Sequence, residues 1–414
     1  MSNVLIPSSV SQRLFITSYF KDYENKISKK LEMQILQKDL IKLGFNELPR
    51  LELVRMGLDG MTASFEVQKI GNTFLLKDDK NETACRDFLE AIEKNFNWQK
   101  HGCSGKLQHS FDVEDLTRTS MLNTNQFNEE NIEIGRAAGL SHDIGRAEQL
   151  FKTGTFSDSD SFFRRRKLIT AGIYDHGDLG KYLLLENQRQ LLRQFIPDTA
   201  IYDNVICDAV AYHVKKQLPE RLQEPFSSNE KTFFDYGVSE LIKMGKMFEV
   251  NKYTEYLIRI IQDVDQLDIY RQIIRKDFKP ILSDLAEDQA TIEAYNLFLS
   301  GKYINRADLS KWTCNTGQLI RWSFIYKTML VSTLKTIKDQ KMLETMWEES
   351  LNRFNTESTG KNGSTLKLLD LQLGYEFIIA LRDALIKTTS DGLFVNKDMA
   401  FKEPSVQKII TKYK

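Results

Sequence analysis

Histidine is rare in this chain of 414 residues, and four of its five histidines share one setting. Each of the four lies in or beside an apolar or small-residue segment whose pattern predicts a helix. The four are His109, His142, His176 and His213. Isolated histidines that only fill a core do not need such company, so the shared setting favours a shared role. Only seven prolines and many Leu, Ile, Lys and Glu also favour a mainly α fold.

The strongest local signal is residues 139–146, with the sequence GLSHDIGR. An apolar, small-residue helix ends there in an adjacent histidine and aspartate, His142 and Asp143. Neighbouring side chains on a helix point about 100° apart, but at a helix end followed by glycine the backbone can turn and both can converge. An imidazole and a carboxylate suit a divalent metal such as Zn, Mn or Fe. Taken alone, the pair is also compatible with a buried histidine that caps a loop.

A carboxylate inside an apolar stripe adds a second signal. Residues 256–270 predict a helix that is apolar on most sides and therefore deeply buried. Asp265 lies inside this stripe, and we expect Asp263 at its margin. A buried carboxylate is costly unless it is paired, protonated or bound to a metal, so Asp265 joins the candidate metal ligands.

Basic residues near these ligands point to an anionic substrate. Arg146 and Lys152 can bind phosphate oxygens, and Thr155 lies in the polar loop that follows them. The alternative for this loop is a solvated connector. Lys215 and Lys216 follow a predicted helix, where lysines ordinarily complement the helix dipole. They can also line an anionic substrate site.

Charge and cysteine content limit the partners and the compartment. Lys+Arg and Asp+Glu both number 57, so a protein-wide electrostatic grip on nucleic acid or on an anionic membrane is not expected. The four scattered cysteines form no CxxC pair and indicate free thiols in a reducing compartment. The start of the sequence lacks a secretory pattern, and the apolar stretch 319–334 is too short and too charged to span a bilayer. We therefore expect a cytoplasmic protein; delivery into another cell stays open.

Composition shifts divide the sequence into three modules. Residues 1–100 are expected to form an N-terminal cap with two amphipathic helices in 10–43 and a short hairpin in 61–76. Residues 101–350 contain all the candidate ligands. Residues 351–414 form a linker, rich in Gly, Ser and Thr around 357–365, and a helical extension that begins near residue 366.

In order along the chain, the ligands resemble the HD-domain metal-dependent phosphohydrolase superfamily, over about residues 105–275. The segments HDIGR (142–146), GTF (154–156), DH (175–176), YH (212–213) and DVDQLD (263–268) are similar to one bacterial branch of predicted hydrolases. Residues 162–173 resemble an insertion beside the pocket. The Gly-Tyr-Pro signature of the branch that cleaves cyclic di-GMP is absent after His213, so that substrate is not implied.

The resemblance implies an all-helical core and a site for two divalent ions of Mn, Fe, Ni, Zn or Mg. By the family pattern, one ion is held by His109, His142, Asp143 and Asp265, and Asp143 bridges to a second ion held by His176 and His213. The implied activity is cleavage of a nucleotide or other small phosphoester by a metal-activated water, with Asp143 and Arg146 in catalytic roles. The alternative is a catalytically idle HD scaffold that binds a nucleotide or a protein partner.

Overall fold

The structure is a computed structural model that describes residues 9–42, 67–70, 73–76, 103–124, 127–153, 172–185, 192, 200–215, 217–223, 236–274, 296–301, 303–304, 319, 322–357, 364–389 and 394–413. These residues are mainly α-helical, as the sequence predicts. Among the described residues, no helix combines the length and the apolar character needed to cross a membrane. The chain divides into two compact units. Unit 1 comprises residues 1–111 and 140–203, and unit 2 comprises 112–139 and 204–414.

The elements in chain order are α1 (Ser9–Lys42), β1 (Val67–Ile70), β2 (Thr73–Leu76), α2 (Cys103–Leu122), α3 (Glu129–Ser141), α4 (Ile144–Thr153), α5 (His176–Leu185), α6 (Asp203–Tyr212), α7 (Val238–Lys243), α8 (Met247–Ile274), α9 (Val331–Asp339), α10 (Met342–Glu357), α11 (Ser364–Lys387), α12 (Lys397–Lys402) and α13 (Pro404–Tyr413). Short 3-10 helices cover Ala200–Tyr202, Glu220–Leu222 and Phe324–Lys327. The division between the units falls inside α2 and α3. The three modules of the sequence analysis stay a prediction.

In unit 1, the N-terminal segment forms one helix, α1, and the expectation of two helices was wrong. No glycine or proline occurs between residues 21 and 31 to break it. Its buried side chains recur every three or four residues: Ile16, Phe20, Tyr23 and Ile27. This stripe faces α4, and the Tyr23 hydroxyl donates a hydrogen bond of 2.6 Å to Glu148 Oε2 on that helix. The N-terminal helix therefore packs against the helix that follows the His-Asp pair.

Unit 1 also contains the two strands, which lie where the sequence predicts a hairpin. They pair antiparallel, and Ile70 stands opposite Thr73. Two residues, Gly71 and Asn72, separate the strands in the sequence and lie outside the described residues. The sequence predicts a hairpin there because glycine and asparagine are common in two-residue hairpin connections.

Contact between α4 and α5 depends on Gly145. A Cβ atom at this position would collide with the backbone oxygen of His176 and would lie 2.8 Å from the backbone nitrogen of Gly180. The sequence analysis assigned Gly145 to a turn, but it lies inside α4. Its missing side chain instead lets the backbones of α4 and α5 approach closely, which sets the position of the helix that begins with His176.

Unit 2 is built around α8, the long apolar helix predicted from residues 256–270. Its fully buried apolar side chains include Leu257, Ile258, Ile260, Ile261 and Val264. The helices α7, α9 and α10 pack against α8, while α11 packs against α9, α12 and α13. Trp322 lies at the centre of an aromatic cluster with Phe298, Trp347 and Tyr375. Burial of α8 on most sides confirms the prediction made from its sequence.

Asp263 differs from the expectation. It lies in the buried face of α8 rather than at its margin. Its carboxylate accepts hydrogen bonds from the backbone nitrogens of Met329 (3.0 Å) and Leu330 (3.0 Å), just before α9 begins. Backbone amides at a helix start need acceptors, so Asp263 satisfies them and ties α9 to α8. Sequence spacing alone did not show this because the partner amides lie more than 60 residues away.

Replacing Asp263 by asparagine should reduce the pH dependence of unfolding. Burial raises the pKa of the Asp263 carboxyl to about 7, although the backbone amides of Met329 and Leu330 lower it. An aspartate in the unfolded chain has a pKa of about 3.9, so the folded state holds this proton more tightly. The contribution of Asp263 to the free energy of unfolding therefore falls as the pH rises from about 4 to about 7.

Urea unfolding of wild type and Asp263→Asn at several pH values between about 4 and 8 measures this effect. The wild-type free energy of unfolding should decline with rising pH more steeply than that of the variant, because only the wild type carries the titrating group. Parallel curves for the two proteins would show that Asp263 does not titrate in this window.

Candidate metal centre

The His-Asp pair forms the turn between two helices. Helix α3 ends at Ser141 and α4 begins at Ile144, so His142 and Asp143 are the two residues between them. Both are buried, and His142 Nε2 lies 3.8 Å from Asp143 Oδ2. The prediction that the helix ends here and that the two side chains converge is confirmed.

Two further histidines of unit 1 approach the same carboxylate from different helices. His109, in the early part of α2, places its Nε2 3.1 Å from His142 Nε2 and 3.5 Å from Asp143 Oδ2. His176 places its Nε2 3.3 Å from the other oxygen, Asp143 Oδ1. All three imidazoles are buried. The two oxygens of Asp143 therefore face different histidines, which is the arrangement that a bridging carboxylate requires.

Local sequence explains why His176 begins its helix. Asp175 Oδ1 accepts a hydrogen bond of 2.9 Å from the backbone nitrogen of Asp178, and the Asp175 carbonyl accepts one from Leu179. This is the hydrogen bonding of an N-cap residue, so α5 starts directly after Asp175. The cap fixes His176 in the first turn, and the close contact at Gly145 fixes the helix against α4.

The donor set fits a divalent metal ion. Ligand nitrogens bound to zinc at about 2.0–2.1 Å, at angles between right-angled and tetrahedral, lie about 2.9–3.4 Å apart. The separations of His109 from His142 and of His176 from Asp143 are 3.1 and 3.3 Å. Two imidazole nitrogens that face each other also need a proton or a cation between them. Buried histidine and aspartate side chains of this kind could therefore hold a metal ion.

Positive side chains surround Asp143 in addition to the histidines. Lys106 Nζ lies 2.6 Å from Oδ2, and Arg146 Nε lies 3.6 Å from Oδ1. Burial by itself raises the pKa of the Asp143 carboxyl, but the charges of Lys106 and Arg146, together with the neighbouring imidazoles, outweigh this. They hold its pKa well below the usual range. Asp143 is thus a carboxylate at neutral pH, which is the form that binds a metal.

Lys106 was missed by the sequence analysis. It stands three residues before His109 on α2, and residues three apart share one face of a helix. That spacing is the signal that points to Lys106, once His109 is known to face inward. Arg146, which the sequence did select, donates from Nη1 to Gln149 Oε1 at 2.9 Å, so its guanidinium group is held in place on α4.

The other predicted ligands belong to unit 2. His213 is buried and directly follows α6; its Nδ1 lies 2.7 Å from the Val210 carbonyl oxygen. Because a carbonyl only accepts, Nδ1 carries the proton and Nε2 is the nitrogen with a lone pair, as in histidines that bind metals. Asp265 lies on α8 and is half-buried, less than its place in the apolar stripe indicated.

The predicted substrate residues are only partly within the described chain. Lys215 is half-buried, with its Nζ 5.2 Å from the centre of the Tyr212 ring. Lys152 lies at the end of α4, where only its backbone is described, and Thr155 and Lys216 lie outside the described residues. Of the predicted substrate-binding residues, Arg146 alone is described next to the Asp143 carboxylate.

Comparison with protein-family models, with curated proteins and with solved structures finds no match for this chain. The chemistry of the site is therefore argued from its own geometry and from the order of its ligands in the sequence.

Proposed function

We propose that the chain is a metal-dependent phosphohydrolase of the HD-domain type, which cleaves a nucleotide or another small phosphoester. The observation that carries the proposal is the Asp143 carboxylate, with His109 and His142 at one oxygen and His176 at the other. Two cationic side chains beside it, Lys106 and Arg146, suit an anionic substrate. The resemblance to HD-domain proteins adds His213 and Asp265 to the proposed ligand set. A cytoplasmic location stays part of this proposal.

In the proposed site, each residue has a stated task. By the HD-domain resemblance, His109, His142, Asp143 and Asp265 would hold one divalent ion, and Asp143, His176 and His213 would hold a second. Divalent ions supply a nucleophile at neutral pH, since they lower the pKa of bound water to about 7. Arg146 binds and orients the phosphoryl group through its guanidinium fork. Burial of the three unit 1 imidazoles and of Asp143 excludes bulk water from the ligands.

One contact favours the alternative, an idle scaffold that binds a nucleotide or a protein without cleaving it. The Lys106 ammonium group lies 2.6 Å from Asp143 and already gives this buried carboxylate a positive partner. A site stabilised in this way needs no ion to balance its charge. The scaffold and the enzyme therefore differ in one property, which is whether metal ions bind and support hydrolysis.

Purified protein should take up Mn, Ni or Fe, gain thermal stability when the ion is added, and hydrolyse a generic phosphoester. The stability gain follows from ligand binding to the folded state alone, about 2.7 kcal/mol when the ion is at 100 times its dissociation constant. Elemental analysis, thermal unfolding and a screen of nucleotides and phosphorylated metabolites with Mn, Mg, Ni and Fe provide the test. Nucleotide binding without hydrolysis under every metal condition would identify the scaffold instead.

A further inference from the structure

The two cations beside Asp143 are arranged on opposite sides of one carboxylate. Lys106 approaches Oδ2 and Arg146 approaches Oδ1. The side chain of Asp143 is 3% exposed, whereas those of Lys106 and Arg146 are 24% and 16% exposed. Both cations are thus more exposed than the carboxylate that they flank.

The Asp143 carboxylate has a cationic side chain at each of its two oxygens, one ammonium group and one guanidinium group. Divalent ions held by neutral imidazoles add more positive charge at the same place. A site of this kind prefers the substrate that brings the most negative charge to the reacting phosphoryl group.

Phosphomonoesters and phosphodiesters differ in this respect. A monoester phosphate carries about −1.5 to −2 charges at pH 7, because its second pKa is about 6. A diester has a single ionisable oxygen and carries one negative charge. The monoester also has three terminal oxygens, enough for a lysine and an arginine to bind at different oxygens.

We propose that Lys106 is a substrate-binding residue that acts with Arg146 to select a doubly charged terminal phosphate, so that the site acts on phosphomonoesters rather than phosphodiesters. This inference rests on the proposed function. The ammonium group is a compact charge on a flexible four-carbon stem, so it can turn from Asp143 to a phosphate oxygen while its backbone stays in α2. The guanidinium group of Arg146 is held by Gln149 and supplies the fixed partner.

Anion binding tests the inference without any hydrolysis. The probes are phenylphosphonate, which is doubly charged at about pH 8, and its monomethyl ester, which is singly charged. Phenylphosphonate contains no ester bond, so its binding is measured without turnover. Their dissociation constants are measured by calorimetry on the full-length protein loaded with Mn. Wild type is expected to bind the doubly charged probe at least ~10-fold more tightly than the ester, the scale of one charge-assisted contact.

Lys106→Gln should weaken binding of the doubly charged probe by about 10- to 100-fold and binding of the singly charged ester by less than about threefold, because one of the two cations that contact the phosphonate is lost. Lys21→Gln is the matched control, since Lys21 is an exposed lysine of α1. It should bind both probes like wild type. Lys106→Arg keeps the charge and should keep the preference. Manganese content and thermal unfolding are recorded for each variant.

Three results would overturn the inference. Wild type could bind the two probes with equal affinity, or Lys106→Gln could lose affinity for both probes by the same factor. The third is a folded Lys106→Arg protein that no longer prefers the doubly charged probe. The first of these needs no variant, so the inference stays testable even where Lys106→Gln does not fold. Failure of the proposed function has a different signature. In that case the protein hydrolyses no phosphoester, while the anion preferences of wild type and of Lys106→Gln are still measured and their difference still decides the role of Lys106.

Discussion

Asp143→Ala is expected to remove metal binding and to lower the rate of phosphoester hydrolysis by at least ~10³-fold. Each factor of ten in rate corresponds to about 1.36 kcal/mol of lost transition-state stabilisation. The two carboxylate oxygens of Asp143 face different histidines, His109 at Oδ2 and His176 at Oδ1. Its removal therefore takes a ligand from both proposed ions. The fold should persist, because Lys106 and Arg146 are partly exposed and can turn to solvent.

Bound metal by elemental analysis and the hydrolysis rate are measured together for this variant. Asp22→Ala is the matched control, because Asp22 is an exposed aspartate of α1 in unit 1. The control should keep both metal and activity. A folded Asp143→Ala protein that retains more than a few per cent of the wild-type rate would remove Asp143 from the proposed mechanism.

Gly145→Ala should be strongly destabilising and should also weaken binding at His176. The added Cβ meets backbone atoms of α5, at His176 and Gly180, and backbone cannot move aside as a flexible side chain can. Overpacking a closely packed contact costs about 1–3 kcal/mol and sometimes more, and we expect the upper end of this range. Because the collision is at His176 itself, the histidine should move away from Asp143.

Denaturant unfolding and metal stoichiometry measure the two effects. Gly105→Ala is the matched control, since Gly105 is an exposed glycine within α2. There the same substitution should stabilise the protein by up to about 1 kcal/mol, because alanine is the better helix former. A Gly145→Ala protein that unfolds at the wild-type denaturant concentration would contradict the close approach of α4 and α5.

The features predicted well from the sequence are those set by local pattern. The end of α3 just before His142 and the buried helix around residues 256–270 both follow from residues near them. Apolar periodicity and small residues act over one or two turns, so the sequence displays them directly.

The features that were missed depend on contacts distant in sequence. Asp263 was expected at a helix margin, but it satisfies backbone amides at Met329 and Leu330. Gly145 was expected in a turn, but its role is to admit the backbone of α5. Lys106 carries no motif of its own and gains its meaning only because α2 brings it to Asp143, 37 residues further along. Patterns of a few residues cannot encode such contacts.

The proposed chemistry is tested most directly by removing and restoring divalent ions in the wild-type protein. Protein stripped with a chelator is assayed on the best phosphoester of the screen, and Mn is then added back in steps up to several ions per chain. If His109, His142, Asp143 and His176 form a metal centre, the stripped protein is inactive and the rate rises with added ion until about two ions per chain are bound. A stripped protein that hydrolyses as fast as the reloaded one, or a reloaded protein that hydrolyses nothing, would contradict the metal-dependent mechanism.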